Sequence, residues 1–381
     1  MTKVKIMSIF GTRPEAIKMA PVVKALAAVP EFDSKVVVTA QHREMLDQVL
    51  DLFSIRPDYD LDIMAAAQSL TQITARILTR LDEVLATERP QMVLVHGDTT
   101  TTFAAALAAF YRQIPVGHVE AGLRTGAKYF PYPEEINRCL TGVLADVHFA
   151  PTTVARGNLL QEGVPPDRIL VTGNTAIDAL FLTVAADYKF RHPALKAWDW
   201  DRYRILVVEA HRRENWGRPL EDICWAVAEI TELYPDVAVI FPVHLNPKVQ
   251  EPVRRILGNR PRIHLLEPLE YADFANLMAH SHIILSDSGG IQEEAPSLGR
   301  PVLVLRSVTE RPEAVAAGTV KVVGTDKEKV VAATEELLTD EKAYGRMAQA
   351  ANPYGDGRAA SRILRGLQRY FGFAHEQPSE W

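Results

Sequence analysis

Short apolar runs rich in β-branched residues alternate with Ala- and Leu-rich stretches along most of the chain. This alternation is typical of βα units built around a parallel sheet. The runs are almost continuously apolar, which indicates strands buried on both faces. In the first half, the pattern predicts helices between strands at Val4–Phe10, Lys35–Thr39, Met92–His96, Val116–Glu120, Val147–Ala150 and Ile169–Val171.

The pattern weakens between about Leu182 and Trp200, where we expect a linker, and then starts again. In the second half, the pattern predicts six strands, at Ile205–Val208, Val237–Phe241, Ile263–Leu266, Ile283–Ser286, Val302–Leu305 and Val320–Val323. A helix is predicted after each of the first five. The fold class is therefore α/β, with two Rossmann-like domains that contain parallel sheets. We expect the domains at 1–181 and 201–358, with 182–200 between them. A last helix, Ala359 to Tyr370 within 359–381, is expected to pack back on the first domain.

Composition supports this organisation and excludes several functions. A chain of 381 residues is longer than one hydrophobic core usually grows. The formal charge is −6, and no block of like charges suggests nucleic acid as a partner. Neither a signal-peptide core nor an apolar run near the ~18 residues of a membrane span is present, so we expect a cytoplasmic protein with no membrane partner.

Cysteine and histidine patterns predict neither disulfides nor metal. The two cysteines, Cys139 and Cys224, are too few for a disulfide framework, and we expect both to be small core residues. The 11 histidines show no H-E-x-x-H or similar spacing. We therefore expect no metal site.

Ligands of open parallel sheets bind beyond the carboxyl ends of the strands, so the loops there are the first candidates for function. The first strand ends in Phe10-Gly11-Thr12-Arg13-Pro14-Glu15, which places Arg13 near a helix N-terminus suited to an anion. Lys18 follows one turn later. A solvated surface pair is the alternative, since charged residues at helix starts are common. No G-x-G-x-x-G follows this strand, which argues against an NAD-dependent dehydrogenase.

Acidic residues lie at the ends of the third and fourth predicted strands of this half. Asp98 stands at the tip of the third strand, and the alternative role for it is the N-cap of a helix that begins near Thr99. Glu120 ends the following strand and lies beside Asp98 if the two strands are neighbours. Glu134 and Glu135 then begin another helix, where dipole compensation alone accounts for one of them. Carboxylates that converge in this way shift one another's pKa and suit acid–base catalysis.

The second half supplies a histidine and basic residues after its first strand. His211 titrates near neutrality, although a lone histidine is more often structural. Arg212 and Arg213 suit phosphate or carboxylate.

A Ser-Gly-Gly turn follows a later strand of the same half. Backbone N–H groups of Ser288, Gly289 and Gly290 suit phosphate oxygens, with a plain glycine turn as the alternative. Glu293 and Glu294 are expected in the first helical turn, where one of them can reach a ribose diol. Arg311 follows the next strand and offers a further cation.

The motifs together resemble the non-hydrolysing bacterial UDP-N-acetylglucosamine 2-epimerases, from about Lys5 to Tyr370. They are G-T-R-P-E-A-I-K-M-A-P from Gly11, Q-H-R-E-M-L from Gln41, H-G-D-T from His96, H-V-E-A-G-L-R-T from His118, P-E-E-I-N-R from Pro133, H-R-R-E-N from His211, D-S-G-G-I-Q-E-E-A-P-S-L-G from Asp287 and T-E-R-P-E-A from Thr309. Their order and spacing make the combination highly specific.

The resemblance implies a glycosyltransferase-B-like homodimer with its site in the interdomain cleft and without a cofactor. By motif position, the catalytic residues would be Asp98, Glu120, Glu134 and His211. The substrate-binding residues would be Arg13, Lys18, Phe274, Ser288, Gly289, Gly290, Glu294 and Arg311, with Phe274 near uracil and Glu294 on the ribose. A second, activating sugar-nucleotide site would include Gln41, Arg212 and His244.

Two positions depart from the pattern that the resemblance implies. Leu269 stands where relatives often carry Gln, and Glu209 precedes His211 where a small or hydroxyl residue is more usual. Glu209 adds a negative charge near the expected pyrophosphate site.

The implied reaction interconverts UDP-N-acetylglucosamine and UDP-N-acetylmannosamine by eliminating UDP to a 2-acetamidoglucal and adding it back. Three alternatives stay open at this stage: an epimerase of a related UDP-sugar such as a diacetamido uronate, a UDP-sugar glycosyltransferase of the same fold, and a catalytically idle sensor. The four candidate catalytic residues argue against the sensor, since a binder does not need them.

Overall fold

The computed structural model describes residues 3–40, 43–65, 68–376 and 379–381. It divides into two compact units, Met1–Leu182 with Tyr354–Trp381, and Thr183–Pro353. Each unit is built around a parallel sheet that is covered by helices, as the apolar pattern predicts. Among the described residues, none of the helices combines the length and the apolar character needed to cross a bilayer.

The first unit contains a seven-stranded sheet in the order β3-β2-β1-β4-β5-β6-β7. All of its strand pairs are parallel. The strands are β1 (Val4–Phe10), β2 (Phe32–Val38), β3 (Tyr59–Asp60), β4 (Met92–His96), β5 (Val116–Val119), β6 (Val147–Ala150) and β7 (Ile169–Val171). The helices are α1 (Arg13–Ala27), α2 (Arg43–Leu52), α3 (Leu70–Glu88), α4 (Thr100–Tyr111), α5 (Glu134–Leu144), α6 (Thr153–Gln161) and α7 (Thr175–Thr183), with a 3₁₀ turn at Pro166–Arg168.

The six predicted strands of this unit are all present, although β2 and β5 differ from the predicted bounds and β3 is an additional strand. β5 ends at Val119 rather than Glu120. β2 begins at Phe32 rather than Lys35, because its polar first half still pairs with β1. β3 was not predicted, because it consists of only two residues, Tyr59 and Asp60, which pair with Val37 and Val38 and do not form an apolar run. The core between the sheet and α3 and α4 is formed by aliphatic side chains such as Met7, Ile77 and Val93, which are fully buried.

The second unit contains a six-stranded parallel sheet in the order β10-β9-β8-β11-β12-β13. The strands are β8 (Arg204–Glu209), β9 (Val237–Pro242), β10 (Ile263–Leu266), β11 (Ile283–Ser286), β12 (Val302–Val304) and β13 (Val320–Val322). The helices are α8 (Pro193–Lys196), α9 (Arg218–Leu233), α10 (Pro247–Leu257), α11 (Tyr271–His280), α12 (Gly289–Glu294), α13 (Pro312–Ala317), α14 (Lys327–Thr339) and α15 (Glu341–Ala348), with 3₁₀ turns at Arg213–Asn215 and Ala295–Leu298.

Of the segment expected as a linker, 182–200, residues 183–200 pack as part of the second unit. The buried carboxylate of Asp273 on α11 accepts hydrogen bonds from the Tyr188 hydroxyl at 2.8 Å and from the backbone N–H groups of Arg191 and His192 at 3.0 and 2.8 Å. These contacts are polar and distant in sequence, so hydrophobic periodicity carries no sign of them.

The chain ends within the first unit. Helix α16 (Ala359–Tyr370) packs against α1, and its first two N–H groups, of Ala359 and Ala360, donate to the buried carboxylate of Asp178 on α7. Of the two cysteines, Cys224 is buried as expected, whereas Cys139 on α5 is only half-buried and the expectation for it was wrong.

Candidate active site

The strand order reverses once in each sheet, between β1 and β4 in the first unit and between β8 and β11 in the second. Loops diverge at such a switch point and leave a crevice beyond the strand ends, where ligands of open α/β sheets bind. The two loops of the first switch point carry Arg13 and Asp98. Those of the second carry His211 and Ser288. These four predicted residues therefore lie at the switch points, two in each unit.

The buried carboxylate of Glu15 joins the two loops of the first switch point. It accepts hydrogen bonds from the N–H groups of Gly11 and Thr12 at 3.1 and 2.8 Å, and from the hydroxyls of Thr99 and Thr102 at 2.7 and 3.1 Å. Burial raises the pKa of Glu15, while these hydrogen bonds act in the opposite direction. With Thr12 as N-cap, Glu15 also completes a capping box that starts α1.

Asp98 follows β4 and lies beside the N-terminal half of α5. Its carboxylate is paired with the guanidinium of Arg138, and its carbonyl accepts a hydrogen bond from the Asn137 amide at 3.0 Å. Burial raises the pKa of Asp98 above its ordinary value, and Arg138 opposes that shift. Asp98 is not an N-cap: Thr99 caps α4 and accepts from the N–H of Thr102. The side chain of Asp98 therefore has no capping role.

Glu120 follows β5, the strand next to β4, as its predicted proximity to Asp98 requires. Its backbone is in the left-handed region, with φ at +62°. The side chain is 11% exposed and is ion-paired with Lys18 of α1. The buried ring of His96 lies 3.8 Å away, and burial lowers the pKa of His96 to about 4. A neutral histidine and an ammonium thus flank this carboxylate.

Glu134 and Glu135 begin α5, as predicted, but they differ in burial and in hydrogen bonding. Glu135 is buried and accepts hydrogen bonds from the N–H groups of Thr125 and Gly126 at 3.0 Å each, so it holds the loop after β5. Glu134 is half-buried at the first position of the helix, and Arg13 is exposed at the first position of α1. Of the two glutamates, Glu134 is therefore the one available for chemistry.

In the second unit, the buried carboxylate of Asp287 has the role that Glu15 has in the first. It accepts from the N–H groups of His211 and Arg212 at 3.0 and 2.9 Å, and from the Asn215 amide at 2.8 Å. Burial raises the pKa of Asp287, and the nearby Glu209 adds to that effect. The loop after β8 is thereby fixed to the loop after β11.

His211 contacts two carboxylates. Its Nδ1 lies 2.6 Å from Oε1 of Glu209 and 3.4 Å from Oδ1 of Asp287. The contact with Glu209 is the main cause that raises the pKa of His211, against the effect of partial burial. The ring stacks on that of exposed His244, with centroids 5.5 Å apart and planes at 13°.

The side chains of Glu209, His211 and Asp287 form a group whose donor atoms lie within 4.8 Å of one another, a spacing that also suits a metal ion. The carboxylate of Asp287 is already occupied by three N–H donors, and Nδ1 of His211 faces Glu209. Mutual ion pairing accounts for this arrangement.

Two guanidinium groups converge at the start of α12. A Cβ atom built on buried Gly289 would lie 3.5 Å from Nη2 of Arg311 and 3.9 Å from Nη2 of Arg212. Arg311 is anchored by an ion pair with buried Glu293. Ser288 precedes the helix and Gly290 is exposed in its first turn. Guanidinium groups beside the first turn of a helix suit an oxyanion such as phosphate. The N–H of Ser288, predicted to face phosphate, instead donates to the Ser286 hydroxyl at 3.0 Å.

The glutamates of α12 are one turn later than expected. The helix begins at Gly289, so Glu293 and Glu294 lie beyond its first turn. Glu294 is half-buried, and its Oε2 lies 3.5 Å from the hydroxyl of Tyr271 on α11. Phe274, also on α11, is half-buried. Gln41 lies outside the described residues.

Sequence reasoning missed the residues that hold the candidates in place. Glu15, Arg138 and Asp287 all stand inside the quoted motifs or beside them. Their side-chain hydrogen-bond partners are 40 to 87 positions away along the chain, and their other hydrogen-bond partners are backbone N–H groups. A charged residue in a strand-end motif that is then buried is the signal that could have identified them.

Two Rossmann-like units, with acids in one and converging arginines in the other, are the arrangement of an α/β protein suited to acid–base chemistry on a phosphate-bearing ligand. The sequence model of the UDP-N-acetylglucosamine 2-epimerase family matches residues 24–368. The UDP-N-acetylglucosamine 2-epimerase of Bacillus subtilis (strain 168) is 57% identical over 381 residues, which cover 100% of this chain and 99% of that protein. The enzyme of that name from Escherichia coli (strain K12) is 57% identical over 377 residues, covering 96% and 98%.

The same relationship holds at the level of structure. The crystal structure of the UDP-GlcNAc 2-epimerase from Neisseria meningitidis bound to UDP-GlcNAc is 52% identical, with a TM-score of 0.87 over 96% of this chain and 100% of that one. This chain belongs to the UDP-N-acetylglucosamine 2-epimerase family.

Proposed function

We propose that this chain is a non-hydrolysing epimerase that inverts C2 of UDP-N-acetylglucosamine to give UDP-N-acetylmannosamine, and the reverse. The observation that carries the proposal is Asp98 at the first switch point, with Glu120 at the end of the neighbouring strand β5, in a chain that belongs to this family. Burial raises the pKa of Asp98, so this carboxyl can hold or release a proton closer to neutral pH than an exposed aspartate.

The chemistry requires bond cleavage before inversion. The C2 proton of the sugar is not next to a carbonyl, so direct deprotonation would face a very weak carbon acid. If the C1–O bond to UDP breaks as the C2 proton leaves, positive charge at C1 acidifies that proton. The products are UDP and 2-acetamidoglucal. UDP then returns while a proton is added to the opposite face of C2, which completes the inversion.

Two proton-transferring groups are required, because the proton leaves one face of C2 and arrives at the other. We assign this work to the set of Asp98, Glu120, Glu134 and His211. Lys18 neutralises Glu120, and Arg138 neutralises Asp98.

The leaving UDP needs cations and N–H donors. Arg311 and Arg212 converge at Gly289, so we assign the diphosphate to them together with Ser288, Gly289 and Gly290. We assign the ribose to Glu294 and the uracil to Phe274, while Arg13 offers a further cation. Such groups stabilise the charge that develops on the leaving oxygen.

The decisive experiment is proton NMR of the purified protein with UDP-N-acetylglucosamine in deuterated water, without added NAD, metal or acceptor. We expect loss of the C2 proton signal, appearance of the manno epimer and no accumulation of free UDP or free sugar. An unchanged spectrum would refute the proposal, and steady release of UDP would refute the non-hydrolysing part of it.

The role of Asp98 is tested by Asp98→Asn, with Asp82→Asn as its matched control. Asp82 is an exposed carboxylate of the same unit that pairs with Arg112. Removal of a general acid or base typically lowers turnover by about 10²–10⁴-fold. We expect that loss for Asp98→Asn and unchanged turnover for Asp82→Asn. Wild-type turnover in Asp98→Asn would exclude Asp98 from the reaction.

We also propose that the protein is a homodimer. On α5, Ile136, Leu140 and Val143 follow a helical repeat along one face and are 36%, 42% and 84% exposed; Phe110 and Tyr111 of the adjacent α4 are 56% and 67% exposed. A patch of this kind favours a protein partner, and its self-association would be two-fold. In light scattering we expect a dimer for the wild type and for Val154→Asp on α6, and a monomer for Val143→Asp. A monomeric wild type would refute the proposed homodimer.

A further inference from the structure

Glu209 is the last residue of β8, and both of its carboxylate oxygens have partners. Oε2 accepts a hydrogen bond from the Ser286 hydroxyl at 2.9 Å, directly across the β8–β11 pair. Oε1 lies 2.6 Å from Nδ1 of His211. Since one oxygen is anchored to the neighbouring strand, the other is held in a fixed place against the imidazole.

The competing carboxylate, Asp287, is less well placed to bind the ring. Its nearest oxygen is 3.4 Å from Nδ1, against 2.6 Å for Glu209. The oxygens of Asp287 are also occupied by the N–H groups of His211 and Arg212 and by the amide of Asn215. Asp287 therefore holds the backbone of the loop, and Glu209 holds the side chain.

We infer that Glu209 is a positioning residue for His211, whose carboxylate fixes Nδ1 as the protonated nitrogen and leaves Nε2 as the only nitrogen free to exchange a proton. An ionised carboxylate 2.6 Å away repels the lone pair of an unprotonated nitrogen and attracts an N–H group, so this ion-pair contact favours the hydrogen on Nδ1. An imidazole held in this way by an acidic partner is fixed in one tautomer and gains stability in its charged form. The contact raises the pKa of His211 accordingly.

The anchor of Glu209 also reaches the phosphate-binding turn. The Ser286 hydroxyl that donates to Glu209 accepts a hydrogen bond from the N–H of Ser288 at 3.0 Å. A continuous path thus joins the Ser288 turn to Nδ1 of His211 through Ser286 and Glu209. If His211 serves the reaction proposed above, the same path positions the proton-transferring group and the turn that we assign to the diphosphate.

Other charged groups around His211 act on it as well. Asp287, after β11, favours its charged form, and Arg212, in the same loop, disfavours it. The titratable ring of His244, after β9, stacks on it. The test therefore changes Glu209 alone and leaves these three groups in place.

The experiment is a pH titration of His211 by NMR in the full-length, EDTA-dialysed protein labelled with ¹³C and ¹⁵N in histidine. The signal of His211 is assigned by its loss in His211→Asn. The variant Glu209→Gln keeps an oxygen acceptor but removes the charge, and Glu209→Thr removes the contact. Glu336→Gln is the matched control, since Glu336 is half-exposed and pairs with Lys321 far along the chain.

We expect the wild type to show a neutral form protonated at Nδ1, and a lower pKa of His211 in both Glu209 variants than in the wild type or in Glu336→Gln. The limb of the pH profile of kcat/KM that reports His211 should move to lower pH in Glu209→Gln. In Glu209→Thr, kcat/KM should fall by about 10–100-fold, the typical effect of losing the partner that orients a working histidine.

An unchanged titration in folded Glu209→Gln and Glu209→Thr would overturn the inference, as would a neutral form protonated at Nε2. Because the titration needs no turnover, it separates this inference from the proposed function. Absence of epimerisation alongside a shifted pKa would refute the function and leave the positioning role standing.

Discussion

Replacement of Gly11 by alanine should destabilise the first unit, because the turn after β1 has no room for a Cβ atom. That atom would lie 1.9 Å from the Thr39 hydroxyl oxygen and 2.6 Å from that of Thr101. Both threonines are fully buried and their hydroxyls are hydrogen-bonded to each other at 3.0 Å. The nearer oxygen must therefore move by about 1 Å to reach even the closest separation that real Cβ atoms show.

The size of the effect follows from overpacking in a rigid interior. Extra atoms in a well-packed core cost about 1–3 kcal/mol, and separating the two hydroxyls adds about 1 kcal/mol for the lost hydrogen bond. Gly157→Ala is the control, since Gly157 is inside α6 with nothing within 4 Å of the added atom. It should stabilise the protein by about 0.4–1 kcal/mol, by restricting the unfolded chain.

A double-mutant cycle with Thr39→Ala tests the cause. Thr39→Ala removes the oxygen that the new Cβ atom meets and frees the Thr101 hydroxyl to rotate. The double variant should therefore lose less stability than the sum of the single ones, by about 1–2 kcal/mol, within the range for residues in contact. Urea unfolding with hydrogen exchange at the amides of β1 and β4 reports this unit separately from the other. Additivity of the two changes would show that the clash is not the cause.

Two further predictions concern buried carboxylates of the first unit. Arg138→Gln removes the positive charge that opposes the upward shift of the Asp98 pKa, so that pKa should rise further. The limb of the kcat/KM pH profile that reports Asp98 should then move to higher pH. An unmoved limb in a folded variant would contradict the pairing of Arg138 with Asp98. Burial raises the pKa of Asp178 to about 6, so the folded state binds a proton that the unfolded state releases. This contribution to stability is complete below about pH 4 and is lost as the pH rises through about 6, on the order of 1–3 kcal/mol. Urea unfolding at pH 4.5 and pH 7 should therefore show that the wild type gains more stability on acidification than Asp178→Asn does, and equal gains would contradict it.

The sequence predicts the sheets well and the supporting contacts poorly. Strands buried on both faces appear as apolar runs, so β1, β4, β6 and β7 have the predicted bounds. The side-by-side position of Asp98 and Glu120 follows from the order of strands and was also predictable. The cap of α4 was not, because Asp98 and Thr99 are both good N-caps and only their contacts decide between them.

The contacts that were not predictable share a physical property. The partners of Glu15 are backbone N–H groups and threonine hydroxyls, and those of Asp287 are N–H groups and an amide. Such partners have no sequence signature of their own, since every residue except proline carries an N–H group. A glutamate at the third helical position suggests a capping box, but it does not show that the same carboxylate reaches a second loop.

In both units, a single buried carboxylate, Glu15 or Asp287, accepts hydrogen bonds from the loops at the switch point. A switch point leaves two diverging loops whose N–H groups face away from the sheet, and these groups need acceptors once the loops are packed. In each unit one buried carboxylate supplies them, and its burial is tolerable because several donors surround it. The residues that we assign to chemistry lie at these bonded groups. Asp98 is next to Thr99, whose hydroxyl donates to Glu15, and the backbone N–H of His211 itself donates to Asp287. The carboxylates therefore fix the backbone from which each of these side chains extends. Loss of the carboxylate charge in Glu15→Gln or Asp287→Asn should thus impair catalysis without removing any group that touches the substrate.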